Sequence, residues 1–288
     1  MVLRFLQPRV LLALALLPAA RAQQAQPPAP SRAEALEGLA NYAATYHRRF
    51  RQFVATEERV QKRYRGNKGP EQRTTVSDYY VITLPSAPDR MVELRDTLSV
   101  DGKPVPAKRR VSLDMLNRKG SSLEAEADRF MRESKRYDLD AFRRIEEYTN
   151  MGLLYVDRRV QGHIAYSLPE TLGPGAFALR FMEYGANTVA RKDDEPAPAT
   201  GIVYFTYPGL KVFKVDLTLH DLVPEGPALV RCFVDYEPGP DDLMLPNRCR
   251  HFLPGRSLTP EPGTLESDAH YTNYRRFTAD VKLTVDAP

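Results

Sequence analysis

The chain has no tryptophan, two cysteines and five histidines among its 288 residues. Beyond the first 22 residues no apolar run approaches the roughly 18 residues that a membrane-spanning helix requires. Also missing are a Gly-rich phosphate loop ending in Gly-Lys-Ser/Thr, a G-x-G-x-x-G turn, an H-E-x-x-H helix and a G-x-S-x-G elbow. Their absence removes the readily recognised nucleotide-binding, zinc-protease and hydrolase classes. His47, His163, His220, His251 and His270 are dispersed, with no two at metal-ligand spacing. The carboxylate pairs Glu57/Glu58, Asp193/Asp194 and Asp241/Asp242 lack EF-hand surroundings. The chain is therefore read as a non-enzyme with no catalytic residue, no metal and no cofactor.

What is present begins with an address. Arg4 and Arg9 precede the apolar run Val10 to Leu17, and Ala20-Arg21-Ala22 offers the small-x-small pattern of a signal-peptidase site. Residues 1–22 are expected to be an export signal, and the mature chain, periplasmic or extracellular, is expected to start at Gln23. No cysteine stands at that junction, so a lipid anchor is not expected. The formal charge of +4, less the leader's three arginines, leaves about +1 on the mature chain. A nucleic-acid binder would keep its basic excess after processing, so DNA and RNA are excluded as partners. The locally basic stretch Arg48, Arg49, Arg51, Arg59, Lys62, Arg63 and Arg65 reads as a solvated face, with anionic head groups or acidic glycans as its alternative partners.

An even cysteine count in an exported chain suggests one disulfide. Cys232 lies in the strand-like run Ala228 to Tyr236 and Cys249 in Arg248 to Leu253, with Pro-Gly-Pro-Asp-Asp turn chemistry between them. The layout is that of a stapled hairpin, which would contribute about 3 kcal/mol in the chain-entropy picture. A redox pair or metal ligation are the rival readings, weakened by the lack of C-x-x-C spacing.

Gln23 to Pro30 is a Gln/Pro/Ala tether, and residues 31–288 are read as a single domain. Ser31 and Glu34 form a capping box for a helix whose Leu36, Leu39, Tyr42, Tyr46, Phe50 and Phe53 recur at steps of three and four. Val54 to Tyr64 could extend this helix or begin a strand. Val76, Tyr80, Ile82 and Leu84, then Val92, Leu94, Leu98 and Val100, alternate as in strands, followed by an Asp101-Gly102 turn. Asp78 and Asp96 fall in that apolar register, so either the face is wet or an arginine such as Arg275 or Arg276 reaches in. Ser121 and Glu124 cap a second helix, Leu123 to Lys135. Asp138 to Tyr148 is ambiguous, and Met151 to Val156 reads as a helical turn. Strand patterns follow at Val160 to Leu168 and Phe177 to Phe181, and Asn187 to Thr200 reads as a loop or flap. A hairpin spans Gly201 to His220, with Phe213, Val215, Leu217 and Leu219 on one side. Pro254 to Gly263 is a loop, and a last strand runs from Ala269 to Val285.

The run Gly201 to Leu219 with its Pro208-Gly209 turn, then Asp241-Asp242-Leu243-Met244-Leu245-Pro246, then Tyr271-Thr272-Asn273-Tyr274-Arg275-Arg276-Phe277, resembles exported proteins of acidobacteria-like bacteria. Its layout from about Phe53 to Phe277 is similar to that of the outer-membrane lipoprotein carriers (LolA/LolB-like) and the related RseB-type sensor domain. The resemblance implies an α+β fold: a large curved antiparallel sheet, a half-barrel, with N-terminal and central helices packed on its concave face. It also implies a binding protein holding a lipid, acylated peptide or lipoprotein between sheet and helices. Phe50, Ile164, Phe177, Leu179, Phe181, Phe213, Val215 and Leu217 are the residues expected to line that space. The alternative is a cell-envelope structural or interaction module that meets a partner protein through a fully packed domain. If the leader is processed as read, intact-mass measurement of protein recovered from the envelope gives a chain beginning at Gln23.

Overall fold

A computed structural model describes residues 28–65, 68–84, 87–107, 123–139, 149–184, 188–192, 195–220, 230–253 and 264–276. The leader, the Ser121 cap, most of Asp138 to Tyr148, the loop Pro254 to Gly263 and the chain beyond Arg276 lie outside the described residues.

Helix α1 (Arg32–Phe50) opens on the expected capping box: Glu34 N donates to Ser31 Oγ at 3.2 Å, and Ser31 N donates to Glu34 Oε2 at 2.8 Å. These bonds satisfy amide groups that a helix start otherwise leaves unmet. Its buried stripe is Ala35, Leu39, Ala43, Tyr46 and Phe50, none more than 1% exposed. The two alanines take the places expected for Leu36 and Tyr42, which sit half-buried at the stripe's margin and let the helix axis approach the sheet closely. The helix ends at Phe50, and after Arg51-Gln52 the chain turns directly into a strand.

The strands are β1 (Phe53–Arg65), β2 (Lys68–Leu84), β3 (Ala87–Val100), β4 (Lys103–Pro104), β5 (Ile164–Tyr166), β6 (Glu170–Gly173), β7 (Ala176–Glu183), β8 (Ala190–Lys192), β9 (Glu195–Ala197), β10 (Ala199–Thr206), β11 (Val212–Leu219), β12 (Val230–Pro238), β13 (Met244–Leu253) and β14 (Leu265–Arg276). Twelve of them form one curved, unclosed antiparallel sheet in the order β4-β3-β2-β1-β14-β13-β12-β11-β10-β7-β5, with β6 also on β7. Most pairings join strands near in sequence, and among the described residues the pairing with the greatest separation is β1 against β14. This is the half-barrel layout implied by the resemblance.

Because strand side chains alternate, each strand offers one set to the inner, concave face and one to the outer. On β1 the inner set is Phe53, Ala55, Glu57, Arg59 and Gln61; on β2 it includes Thr75, Ser77, Tyr79 and Val81. Helix α1 and the one-turn helix α3 (Met151–Leu154) pack on the inner face, the latter so closely that a side chain at Gly152 would meet Val215 Cγ1 at 2.1 Å. Helix α2 (Leu123–Ser134) takes the opposite face instead. Its Phe130 ring stands edge-on to Tyr80 at 5.4 Å, within a cluster of Val54, Val92 and Leu94. The expectation that the central helices share the concave face thus holds for α3, while α2 covers the outside of β1 to β3.

Two local expectations resolve in physical terms. Asp78 is met by Arg275, Nη2 to Oδ1 at 2.6 Å, so the arginine does reach the carboxylate in the apolar register. The supposed flap is partly a ribbon, β8 against β9, tied down by Glu183, whose carboxylate accepts from Val189 N at 2.5 Å and Ala199 N at 3.0 Å. No helix among the described residues is long and apolar enough to cross a membrane.

Gly201 sits on the inner face between Phe181 and Leu217, and an added Cβ would lie 2.5 Å from both the Asp216 carbonyl and Phe181 Cζ. Backbone cannot yield as a flexible side chain can, so Gly201→Ala is expected to cost about 1–3 kcal/mol. Chemical denaturation reads this against Gly162→Ala, where nothing lies within 4 Å.

Candidate functional site

The registers place inner-face side chains in rows running across the strands. One row passes Phe181, Gly201, Leu217, Cys232, His251, Ser267, Gln61 and Arg73. Its neighbour passes Leu179, Val203, Val215, Val234, Cys249, Ala269, Arg59 and Thr75. Both change character in the same direction. Toward β7 they are aromatic and aliphatic and lie beneath α1 and α3; toward β2 they are hydrogen-bonding and charged.

Of the residues expected to line a ligand space, Phe50, Ile164, Phe177, Leu179, Phe181, Val215 and Leu217 belong to one buried cluster on the apolar side. Tyr155, from the turn after α3, stacks on Phe181 at 4.9 Å and 15°. Phe213 is only partly buried and packs against the margin of that cluster. A register irregularity at Tyr204/Phe205 breaks the alternation of β11, so Val212 turns inward and Phe213 is half-buried beside Tyr204, ring centroids 6.2 Å apart.

On the polar side Glu57, fully buried, accepts from Arg95 Nε at 2.8 and 3.0 Å and from the Tyr271 hydroxyl at 2.9 Å. Arg95 Nη2 also donates to Glu93 at 3.3 Å, and Glu93 accepts from the Thr149 hydroxyl at 3.0 Å and from its amide. Arg59 pairs with Asp138; both are under 5% exposed. Gln61 Oε1 accepts from Leu139 N at 2.9 Å, and Arg73 Nη1 donates to the Tyr137 and Asp138 carbonyls at 3.1 and 3.0 Å. Three acids thus stand among three arginines, as buried charge requires. Burial pushes the Glu93 carboxyl up to about 7, against the opposing pull of Arg95 and the Thr149 hydrogen bonds.

Not every polar atom here is met. Gln61 Nε2, Thr75 Oγ1, Ser267 Oγ and Arg73 Nε are buried with no hydrogen-bonding partner among the described residues. Gln61 faces both Ser267 and Arg73 across the strands, so these atoms are neighbours. On the apolar side the Tyr46 and Tyr155 hydroxyls, both residues fully buried, are likewise unpartnered. Each such group carries a desolvation cost of about 1–3 kcal/mol unless water or another polar group meets it.

The cysteines do not form the expected staple. Their sulfurs are 4.0 Å apart and both thiols are free. The reason lies in register: Cys232 faces His251 while Val234 faces Cys249, which makes the cysteines diagonal neighbours. Diagonal Cα atoms stand about 7–8 Å apart, beyond the about 4.4–6.8 Å that a disulfide tolerates. The Cys249 thiol is held well above its ordinary range by its hydrogen bond with Cys232 and by burial.

The sequence offered the carboxylates and arginines of β1 as a charged surface, and Arg59 as part of a solvated basic patch. The signal for the buried set was the small polar residues in matching register, Thr75, Ser77 and Thr97, which suit a face that receives long charged side chains. His47, on α1, is half-buried, and loss of solvation holds its imidazole down at about 4; His220 pairs with Thr200 at 3.2 Å.

No protein-family model matches the chain, and no curated protein matches it in sequence. Solved structures similar to it include a Vibrio parahaemolyticus domain described as an outer membrane lipoprotein-sorting protein, at 11% identity and TM-score 0.40, covering 85% of this chain and 94% of that one. A DUF1329 family protein from Desulfovibrio piger matches at 14% identity and TM-score 0.37, over 86% and 95% of the two chains. A LolA superfamily protein from Nitrosomonas europaea matches at 10% and 0.34, over 84% and 93%. The likeness is one of strand-and-helix layout; the expected acidobacteria-like origin finds no support among the three.

Between pH 4.5 and 7 the folded protein holds a proton on Glu93 that the unfolded chain has lost, so this group makes stability fall as pH rises through that window. Glu93→Gln removes the effect. Its stability relative to the parent is expected to improve by about 3 kcal/mol between pH 4.5 and 7.5, read from urea midpoints. His47, which acts in the opposite direction, is common to both proteins and cancels.

Proposed function

We propose that this chain is an exported, non-enzymatic carrier of an acylated amphiphile, a lipid or the lipid-modified end of a peptide or lipoprotein, held between the inner face and helix α1. The observation that carries this reading is the graded inner face. Rows that begin at Phe181 and Leu179 end at Arg73 and Thr75, and the polar end concentrates unpartnered hydrogen-bonding atoms. An amphiphile laid along such rows places methylenes against Phe and Leu side chains, at about 0.8 kcal/mol per methylene buried. Its polar end then meets Gln61, Ser267 and Arg73. The leader read in the sequence supports a site of action in the periplasm or outside the cell.

The space beneath α1 is occupied by the helix's own stripe, so loading requires α1 to lift from the sheet. At its start α1 is held to the apolar edge by Arg32 Nη1 donating to the Tyr166 carbonyl at 3.3 Å, an exposed contact that costs little to break. Release follows transfer to an acceptor that binds the acyl chain more tightly. The complete burial of Ala35, Leu39 and Tyr46 also favours a second reading, a packed envelope module that takes no ligand.

Native mass spectrometry and lipid extraction of protein purified from its own envelope separate the two. The carrier is expected to arrive with an acyl lipid bound and, once stripped, to take up a fluorescent fatty acid with saturable, equimolar binding. Protein that is ligand-free in every preparation and takes up no fluorescent fatty acid is the packed module.

A further inference from the structure

We propose that Cys232, Cys249 and His251 form a binding site for one thiophilic d10 cation, Zn2+ or Cu+. The three residues converge on the inner face of β12 and β13, each no more than 5% exposed, with one ligand atom from each lying within 4.8 Å of the others. A cation bound at about 2.3 Å from sulfur and about 2.0 Å from imidazole nitrogen, with ligands spread trigonally, needs sulfurs about 4.0 Å apart and sulfur–nitrogen separations of about 3.7 Å. The Cys232 and Cys249 sulfurs are 4.0 Å apart, and Cys249 Sγ lies 3.8 Å from His251 Nδ1 and 3.9 Å from Nε2. The third separation, from Cys232 Sγ to the imidazole, lies within 4.8 Å, so the ring has to turn toward Cys232 for all three ligands to close on one ion.

The same diagonal register that denies these thiols a disulfide sets their sulfurs at coordination distance. Two exported cysteines that cannot pair with each other need another fate, and a shared soft cation supplies one. The strands that carry them are interior to the sheet, bonded on both sides, which fixes the ligand backbone before the ion arrives.

The test uses the full mature chain, purified reduced and metal-free, titrated with Zn2+ against a chromophoric zinc chelator and with Cu+ against bathocuproine disulfonate. Co2+ serves as a spectroscopic probe through its thiolate charge-transfer absorption. The expected result is one ion per chain, a cobalt spectrum of a thiolate site, and at least about a tenfold loss of affinity in Cys249→Ser and in His251→Gln. If Cys249→Ser does not fold by circular dichroism, Cys232→Ser and His251→Gln carry the comparison. The proposal is overturned by the absence of equimolar binding to either ion, by unchanged affinity in the folded variants, or by an intact mass showing the two thiols joined in a disulfide.

Discussion

The pairing of β1 with β14 is the contact on which the rest of the architecture depends. It joins residues more than 200 positions apart, Glu57 to Tyr271 and Gln61 to Ser267 among them, and fuses a four-stranded N-terminal sheet to the long C-terminal meander. Without it neither inner-face row would cross from apolar to polar, because the apolar positions come from the C-terminal strands and the charged ones from the N-terminal strands. Closing so long a loop carries an entropic cost that the contacts made across the seam must offset.

Charge balance then governs what the seam can carry. Glu57 pairs with Arg95 and Asp138 with Arg59 in space that would otherwise repel each of them, while Glu93, its carboxyl raised by burial, and Arg73, bound to backbone carbonyls, flank the two pairs. Such sets contribute little net stability compared with apolar packing, yet they demand one arrangement, since any misplaced member leaves a bare charge. Here they orient two short segments: Tyr137 to Leu139, held by Arg59, Gln61 and Arg73, and Thr149, held by Glu93, Tyr79 and Tyr236. The polar end of the inner face is therefore a fixed surface, organised by electrostatics where the other end is organised by rings and methyl groups.

Legibility in the sequence follows coverage. Where a strand faces helix on one side and solvent on the other, as in β11 and β12, alternation shows directly and the expected segments match closely. In β3 residues Met91 to Thr97 are buried on both sides, between the inner face and α2, and period two disappears from the burial pattern. The charged positions of β1 were visible as residues but not as interior, because an inward-facing polar set alternates like an outward-facing one. Only partners distant in sequence, Arg95 for Glu57 and Asp138 for Arg59, distinguish them. The cysteines were readable as a hairpin pair, but their fate turned on a two-residue offset fixed by the turn and by the irregularity at Asp235/Tyr236, which composition does not specify.

The sheet's two ends are its shortest strands. One boundary is Lys103–Pro104, a charged residue beside one that lacks an amide hydrogen; the other is the three-residue Ile164–Tyr166. An unclosed sheet offers margins on which another polypeptide could add a strand; the terminal strands are brief and one is poor in donors, while β4 covers only Ser99 and Val100 of β3. The sheet thus stays unclosed while each of its terminal strands gives a neighbouring chain little backbone to extend.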